Sequence, residues 1–306
     1  MTLRLPDRLT TTLSNAGPEA EVWGAALPDS VETISARWGL SLGEPYDGGS
    51  WSLVLPAERA GQQYVLKLVL PDASTLEQIE VLRAAEGRGV VRLVESDAAL
   101  GAMLLESLEP APAPSWDDTP HQLASALQRF WAAVRHLAPA DPGPATHKAA
   151  GLIALIDRLQ GLADDRHRLA VATARALAEE RLAAHDPQRD VFCHGDPHAG
   201  NLMLRRLPDG TTEPVLIDVD GIGGCEPEYD LGVILRSWND VILPADDPVF
   251  LLTAKADELA RLTGTDRAAI LAWANIERVT SGLYLRHLGH DDDGVEHLDS
   301  ASHLLG

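Results

Sequence analysis

The chain has 306 residues, 46 of them acidic against 25 basic, for a net charge of −21 at pH 7. Such a field repels nucleic acid and anionic lipid, so neither is expected as a partner, and it attracts cations from long range; it serves equally as plain solubility. No apolar run approaches the length of a membrane span, the start MTLRLPDRLTTTL lacks the apolar core and cleavage site of a secretory leader, and Cys193 and Cys225 make up the cysteines. A cytoplasmic protein with two free buried thiols is expected, long enough for one large domain or two moderate ones.

Residues 1–40 read as a helical preface, broken at Gly17-Pro18 and restarted from an N-cap at Asp29-Ser30. From Leu42 to Leu70 the pattern is strand, a Gly48-Gly49-Ser50 turn, strand, a hairpin turn at 59–62, and strand. Glycines in that first turn let backbone amides approach a phosphate, and Ser50 adds a hydroxyl. The last strand, YVLKLVL, carries Lys67 among apolar neighbours, and a charge there needs a partner. The next helix opens on a Ser74 cap, ends at Gly87 and offers Glu77 and Glu80 beside its Leu76-Ile79-Leu82 stripe. Two antiparallel strands follow, joined by the turn Asp97 to Gly101. The Pro-rich stretch 109–120 then leads into helical patterns at 121–138, 151–162 and 170–184, with a Pro/Gly linker at 141–146. Helices at 249–262, 266–288 and 295–304 close the chain, and HDDDG at 290–294 reads as a solvated acidic loop. The expected organisation is an N-terminal region over 1–108 and a C-terminal region over 109–306.

The densest chemistry runs from Val191 to Gly221: VFCHGDPHAGNLM, a turn-rich insert, then VLIDVDG. One loop and one strand end present Asp196, Asn201 and Asp218, an oxygen-only set that suits a hard cation such as Mg²⁺. His194 and His198 lie four apart, but Gly195, Pro197 and Gly200 make the segment a loop, so a helical zinc pair is not expected. A loop Asp, an Asn at +5 and a later Asp-x-x-Gly are the parts of a kinase catalytic site. In that reading Asp196 accepts the substrate hydroxyl proton while Asn201 and Asp218 hold metal.

HGDPHAGNLM followed by LIDVDG resembles the Brenner motif and metal-binding segment of the aminoglycoside phosphotransferases, antibiotic kinases with the protein-kinase fold. GRGVVRL and the later MLLE are similar to the streptomycin and hydroxyurea phosphotransferase branch, and the resemblance runs from about Trp38 to the last helices. It implies an α+β, bilobal protein-kinase-like fold, with a small antiparallel-sheet N-lobe that binds nucleotide and a larger helical C-lobe. It also implies ATP and Mg²⁺ as cofactors, with ATP between the lobes and Ser50 at its phosphates. Lys67 would be held on the inner phosphates by Glu77 or Glu80, and Glu106-Ser107-Leu108 would be the hinge that reads adenine. His194 would anchor the catalytic loop, and Asp230 would brace it or cap its own helix. One departure is Asp220, where relatives often carry Pro after the metal-binding Asp; it adds a carboxylate that leaves the ligand set beyond Asp218 open. The activity implied is ATP-dependent phosphorylation of a hydroxyl on a cationic, aminoglycoside-like small molecule, streptomycin-type first, by a monomer or homodimer. A kinase of another metabolite, such as an amino sugar or amino alcohol, and a nucleotide-binding pseudokinase are the alternatives.

Overall fold

The structure, a computed structural model, describes residues 3–47, 51–137, 147–220 and 222–305, so the Gly48-Gly49-Ser50 turn lies outside the described residues. The first of its two units is built on five antiparallel strands: β1 (Ser41–Leu42), β2 (Ser52–Arg59), β3 (Gln62–Val69), β4 (Leu93–Asp97) and β5 (Ala102–Glu106), in the order β1-β2-β3-β5-β4. Strand alternation sends Leu53, Leu55, Leu66, Leu68 and Leu104 to one face. There they meet Leu9 and Leu13 of α1 (Asp7–Asn15) and Trp23, Leu27, Ile34 and Trp38 of α2 (Pro18–Trp38). The preface is thus a cover for one sheet face.

Two local expectations change here. α2 runs unbroken through Pro28 instead of restarting at Asp29-Ser30. The proline removes one helix hydrogen bond at about 3 kcal/mol. Burial of Trp23, Leu27, Val31 and Ile34 along one stripe, at about 1.5–3 kcal/mol for each aliphatic side chain, outweighs it. The helix α3 (Ala73–Ala85) is capped by Asp72, not Ser74: Asp72 Oδ1 accepts from Thr75 N at 3.1 Å and from the Ser74 hydroxyl at 2.6 Å.

The second unit holds residues 88–90 and everything from Glu109 onward. Gly89 explains why 88–90 belong to it. Its φ is +74°, a Cβ there would lie 2.1 Å from Ala126 O, and its own carbonyl accepts from Leu216 N at 2.9 Å. Two small antiparallel sheets frame the segment of interest. One pairs β7 (Val191–Cys193) with β10 (Ile222–Cys225); the other orders β6 (Glu109–Pro110), β8 (Leu202–Arg206) and β9 (Thr212–Leu216) as β6-β8-β9. Around them pack α4 (Thr119–Val134), α5 (Lys148–Leu159), α6 (Arg168–Ala183), α7 (Glu228–Leu235), the short α8 (Asn239–Ile242), α9 (Pro248–Thr263), α10 (Arg267–His287) and α11 (Asp291–His303). Trp273 and Ile276 of α10 meet Tyr229 and Val233 of α7 and Leu152 of α5 in one buried cluster, which also takes in the free thiols Cys193 and Cys225. The acidic run expected as a loop is mostly helix: Asp291, Asp292 and Asp293 form the first turn of α11, where their charges complement the helix dipole. Among the described residues, no helix is long and apolar enough to cross a membrane.

Candidate active site

β7 ends at Cys193 and delivers His194-Gly195-Asp196 into a turn that needs Gly195 at φ +98°. Asp230, fully buried on α7, accepts from His194 N at 2.9 Å, from Gly195 N at 3.0 Å and from the Trp131 indole Nε1 at 2.8 Å. Burial pushes the Asp230 carboxyl up to about 6 against the pull of these donors.

His194 is fully buried, and burial holds it down to about 4 although Asp196 and Asp218 pull the other way, so its ring is neutral at pH 7. Asp196 N donates to Nδ1 at 3.3 Å, which places the proton on Nε2, 3.1 Å from the Ile217 carbonyl it donates to. The ring therefore ties the loop to the strand end that leads to Asp218. Two backbone bonds repeat the tie: Ile217 N donates to Asn201 O and Asp220 N to His194 O, each at 2.9 Å.

Asn201 is buried and donates its amide Nδ2 to Asp196 O at 2.9 Å, leaving the amide oxygen as its remaining acceptor. Asp218 stands at φ +64°, an unusual conformation for a side-chain-bearing residue. Asp218 and Asp220 are exposed residues, with Val219 buried between them. An amide oxygen and a carboxylate fixed to one loop and one strand end fit a hard, oxygen-seeking cation. His194 and His198 do not suit a metal, because each spends both ring nitrogens on protein partners.

Asp196 itself is half-buried and has a partner on each oxygen. Arg236 Nη2 donates to Oδ1, and His198 Nε2 lies 3.3 Å from Oδ2. His198 Nδ1 accepts from Gly200 N at 3.1 Å, so the imidazole proton sits on the nitrogen that faces Asp196. Burial works to raise the Asp196 carboxyl, but the Arg236 charge and the His198 contact outweigh it and hold the group well below the usual carboxylate range. Arg236 also reaches Glu277 Oε2 at 3.4 Å and the Ser281 hydroxyl at 3.2 Å. Tyr229 donates its hydroxyl to Glu277 Oε1 at 2.8 Å and lies 3.2 Å from Gly195 O; Lys148 Nζ stands 3.8 Å from the same Glu277 oxygen.

Asp196, Asn201, Asp218, His194 and Asp230 thus gather in the second unit. The remaining expected residues lie in the first. Lys67 is buried on β3, the central strand, between Val54 and Met103 of its neighbours. α3 turns Glu77 and Glu80 to its exposed side, and the polar residues it buries are Thr75 and Gln78. Glu106 closes β5 and accepts from Arg92 N at 2.7 Å, with Leu108 half-buried just after it. Glu106 and Ser107 line a cavity of about 390 Å³ with Gln63, Tyr64 and Arg92. Sequence reasoning missed Trp131, Tyr229, Arg236 and Glu277. Their signal was a polar residue inside an apolar helical run, as Glu277 is between Ile276 and Val279, with no motif to say what it faces.

Residues 48–271 match the Phosphotransferase enzyme family. The chain is 34% identical to streptomycin 6-kinase of Streptomyces glaucescens over 99% of this chain and 96% of that protein. It is 35% identical to hydroxyurea phosphotransferase of Kitasatospora aureofaciens over 67% of this chain and 59% of that protein. Among solved structures, it is similar to choline kinase LicA from Streptococcus pneumoniae, with a TM-score of 0.60 at 15% identity over 88% of this chain and 96% of that one. It is also similar to aminoglycoside phosphotransferase APH(3'')-Id from Streptomyces rimosus, solved with ADP and streptomycin, with a TM-score of 0.54 at 18% identity over 82% and 97%. At such identities these structural likenesses establish the protein-kinase-like fold.

Proposed function

As this chain belongs to the Phosphotransferase enzyme family, we propose that it transfers the γ-phosphoryl group of ATP to a hydroxyl of a cationic, aminoglycoside-type small molecule, with streptomycin as the first candidate. The observation that carries the reading is the Asp196 carboxylate, held ionised beside Asn201 and Asp218 in a chain similar to streptomycin 6-kinase over almost its whole length.

Asp196 orients the acceptor hydroxyl and takes its proton. The acceptor oxygen forms a bond to the γ-phosphorus, the bond from that phosphorus to the β,γ-bridging oxygen breaks with its electrons leaving on ADP, and the proton passes from Asp196 to water. A carboxylate held so far down is a weak base. It therefore acts by position first and takes the proton late, which suits the loose transition state of phosphoryl transfer. Asn201 and Asp218 would hold Mg²⁺, which supplies charge neutralisation for the phosphates. Lys67 is assigned to the inner phosphates, Ser50 to the phosphates as well, and Glu106 to Leu108 to the adenine. Glu77 and Glu80 both lie on the exposed side of α3, and one or the other is proposed as the partner of Lys67. His194 and Asp230 position the loop without touching substrate.

A second acceptor class is favoured by one finding, the 35% identity to a hydroxyurea phosphotransferase. Mass spectrometry of reactions with Mg-ATP and streptomycin, other aminoglycosides, hydroxyurea or amino alcohols separates the two. The expected result is one added phosphoryl group on streptomycin, absent with Asp196→Ala. Transfer to hydroxyurea alone would move the acceptor, and ATP binding with no transfer to any acceptor would leave a pseudokinase.

A further inference from the structure

Asp196 has two oxygens, and the structure treats them differently. Arg236 on Oδ1 is clamped: its side chain is 13% exposed and its other nitrogen reaches Glu277 and Ser281. Glu277 is in turn fixed by the Tyr229 hydroxyl at 2.8 Å and faces Lys148 at 3.8 Å. Tyr229 comes back to within 3.2 Å of Gly195 O, so the chain of contacts closes on the loop it started from. Moving Arg236 away would leave two carboxylates short of a cation inside the protein, a heavily disfavoured state. His198 on Oδ2 is the reverse. Its side chain is 32% exposed, its 3.3 Å contact is long, and its single imidazole N–H is one that water or a substrate hydroxyl can replace.

We infer that Arg236 and His198 divide Asp196 between a fixed partner and a displaceable one, so that the acceptor hydroxyl docks on Oδ2 while Arg236 locks the carboxylate plane through Oδ1. The inference rests on the reading of Asp196 as the base. It makes Arg236 a positioning residue, with Glu277 behind it, and His198 a placeholder that yields to substrate.

Steady-state kinetics on streptomycin, paired with thermal melts, test this. Arg236→Ala is expected to lose about 100-fold in kcat while KM for ATP stays within about twofold, the signature of lost orientation. Millimolar guanidinium should restore about tenfold of that loss by refilling the vacated place beside Oδ1, and Arg236→Lys should fall between. His198→Ala should lose at least about tenfold less kcat than Arg236→Ala does. Should Arg236→Ala fail to fold, Glu277→Gln unclamps an arginine that is still present, and kcat about tenfold lower at unchanged KM for ATP is expected. A His198→Ala loss as deep as that of Arg236→Ala, a folded Arg236→Ala that guanidinium does not recover, or a folded Glu277→Gln with wild-type kcat would overturn the inference. Failure of the underlying reading looks different: wild type would then transfer nothing that depends on Asp196.

Discussion

Asp230 and Asp196 hold the same loop under opposite physics. Asp230 sits in a dry site and takes three neutral N–H donors, two from the loop backbone and one from Trp131, while burial lifts it to about 6. Asp196 sits half-buried and takes a guanidinium that is itself gripped by a second carboxylate, which keeps it well below its ordinary range. Neutral donors fix where a carboxylate points and leave its charge negotiable; a cation fixes the charge as well. The loop uses the first arrangement for shape and the second for chemistry.

The largest expected effect breaks the chemical side alone. Asp196→Asn removes the proton acceptor without changing size, and kcat should fall by about 10²–10⁴-fold with ATP affinity little changed, as read by steady-state rates and nucleotide titration. Asp230→Asn should break the shape side. One amide cannot accept all three donors, a buried N–H is left facing an NH₂, and urea melts should show a loss of about 1–3 kcal/mol.

How much of this contrast could be read in advance depended on sequence distance. Asp196, Asn201 and Asp218 were legible because they lie on one contiguous loop-strand unit with turn residues between them. Asp230 was legible as a candidate brace only through the resemblance. Arg236 and Glu277 were not, because they come from 40 and 81 residues downstream, and Glu277 reaches the Arg236 that holds Asp196 only once α7 packs on α10. The β2–β3 hairpin was visible in its alternation. The path through Pro28 was not, since local breaker chemistry lost to a buried stripe that spans it. The acidic run at 290–294 was misplaced for a related reason: three aspartates discourage a helix interior but favour its first turn. The Lys67 strand was readable from its pattern, whereas the outward turn of Glu77 and Glu80 on α3 is set by tertiary packing of Thr75, Gln78 and Ile79.

Acid sharpens the comparison further. Asp230 at about 6 lies above the ordinary unfolded value, so its contribution is complete below about 4 and is lost as pH rises through 6. His194, held at about 4, contributes stability that is complete above about 6.5 and is lost as pH falls toward 4. His147 behaves the same way. It is buried at the start of α5 against His185 and pushed down to about 4 by burial and that neighbour, with Asp190 opposing. His297, held at about 4 by burial and by the Arg236 and Arg278 charges, adds a third, and three histidines against one aspartate predict net destabilisation on acidification from pH 6.5 to 4. The smallest effect tests this. His147→Asn can still accept from Ala149 N as the helix cap, so stability at pH 7.5 should hold while the acid slope falls by about one proton, roughly 1.4 kcal/mol per pH unit. An unchanged slope in melts between pH 4 and 6.5 would remove His147 from the account.

The most direct test of the division between shape and chemistry is a crossed measurement of Asp196→Asn and Asp230→Asn, each by melting temperature and by single-turnover phosphoryl transfer from ATP to streptomycin. The account predicts that Asp196→Asn barely transfers even where it is fully folded, whereas Asp230→Asn melts early and, below its transition, transfers at a rate much nearer wild type. Full transfer by a folded Asp196→Asn would contradict it.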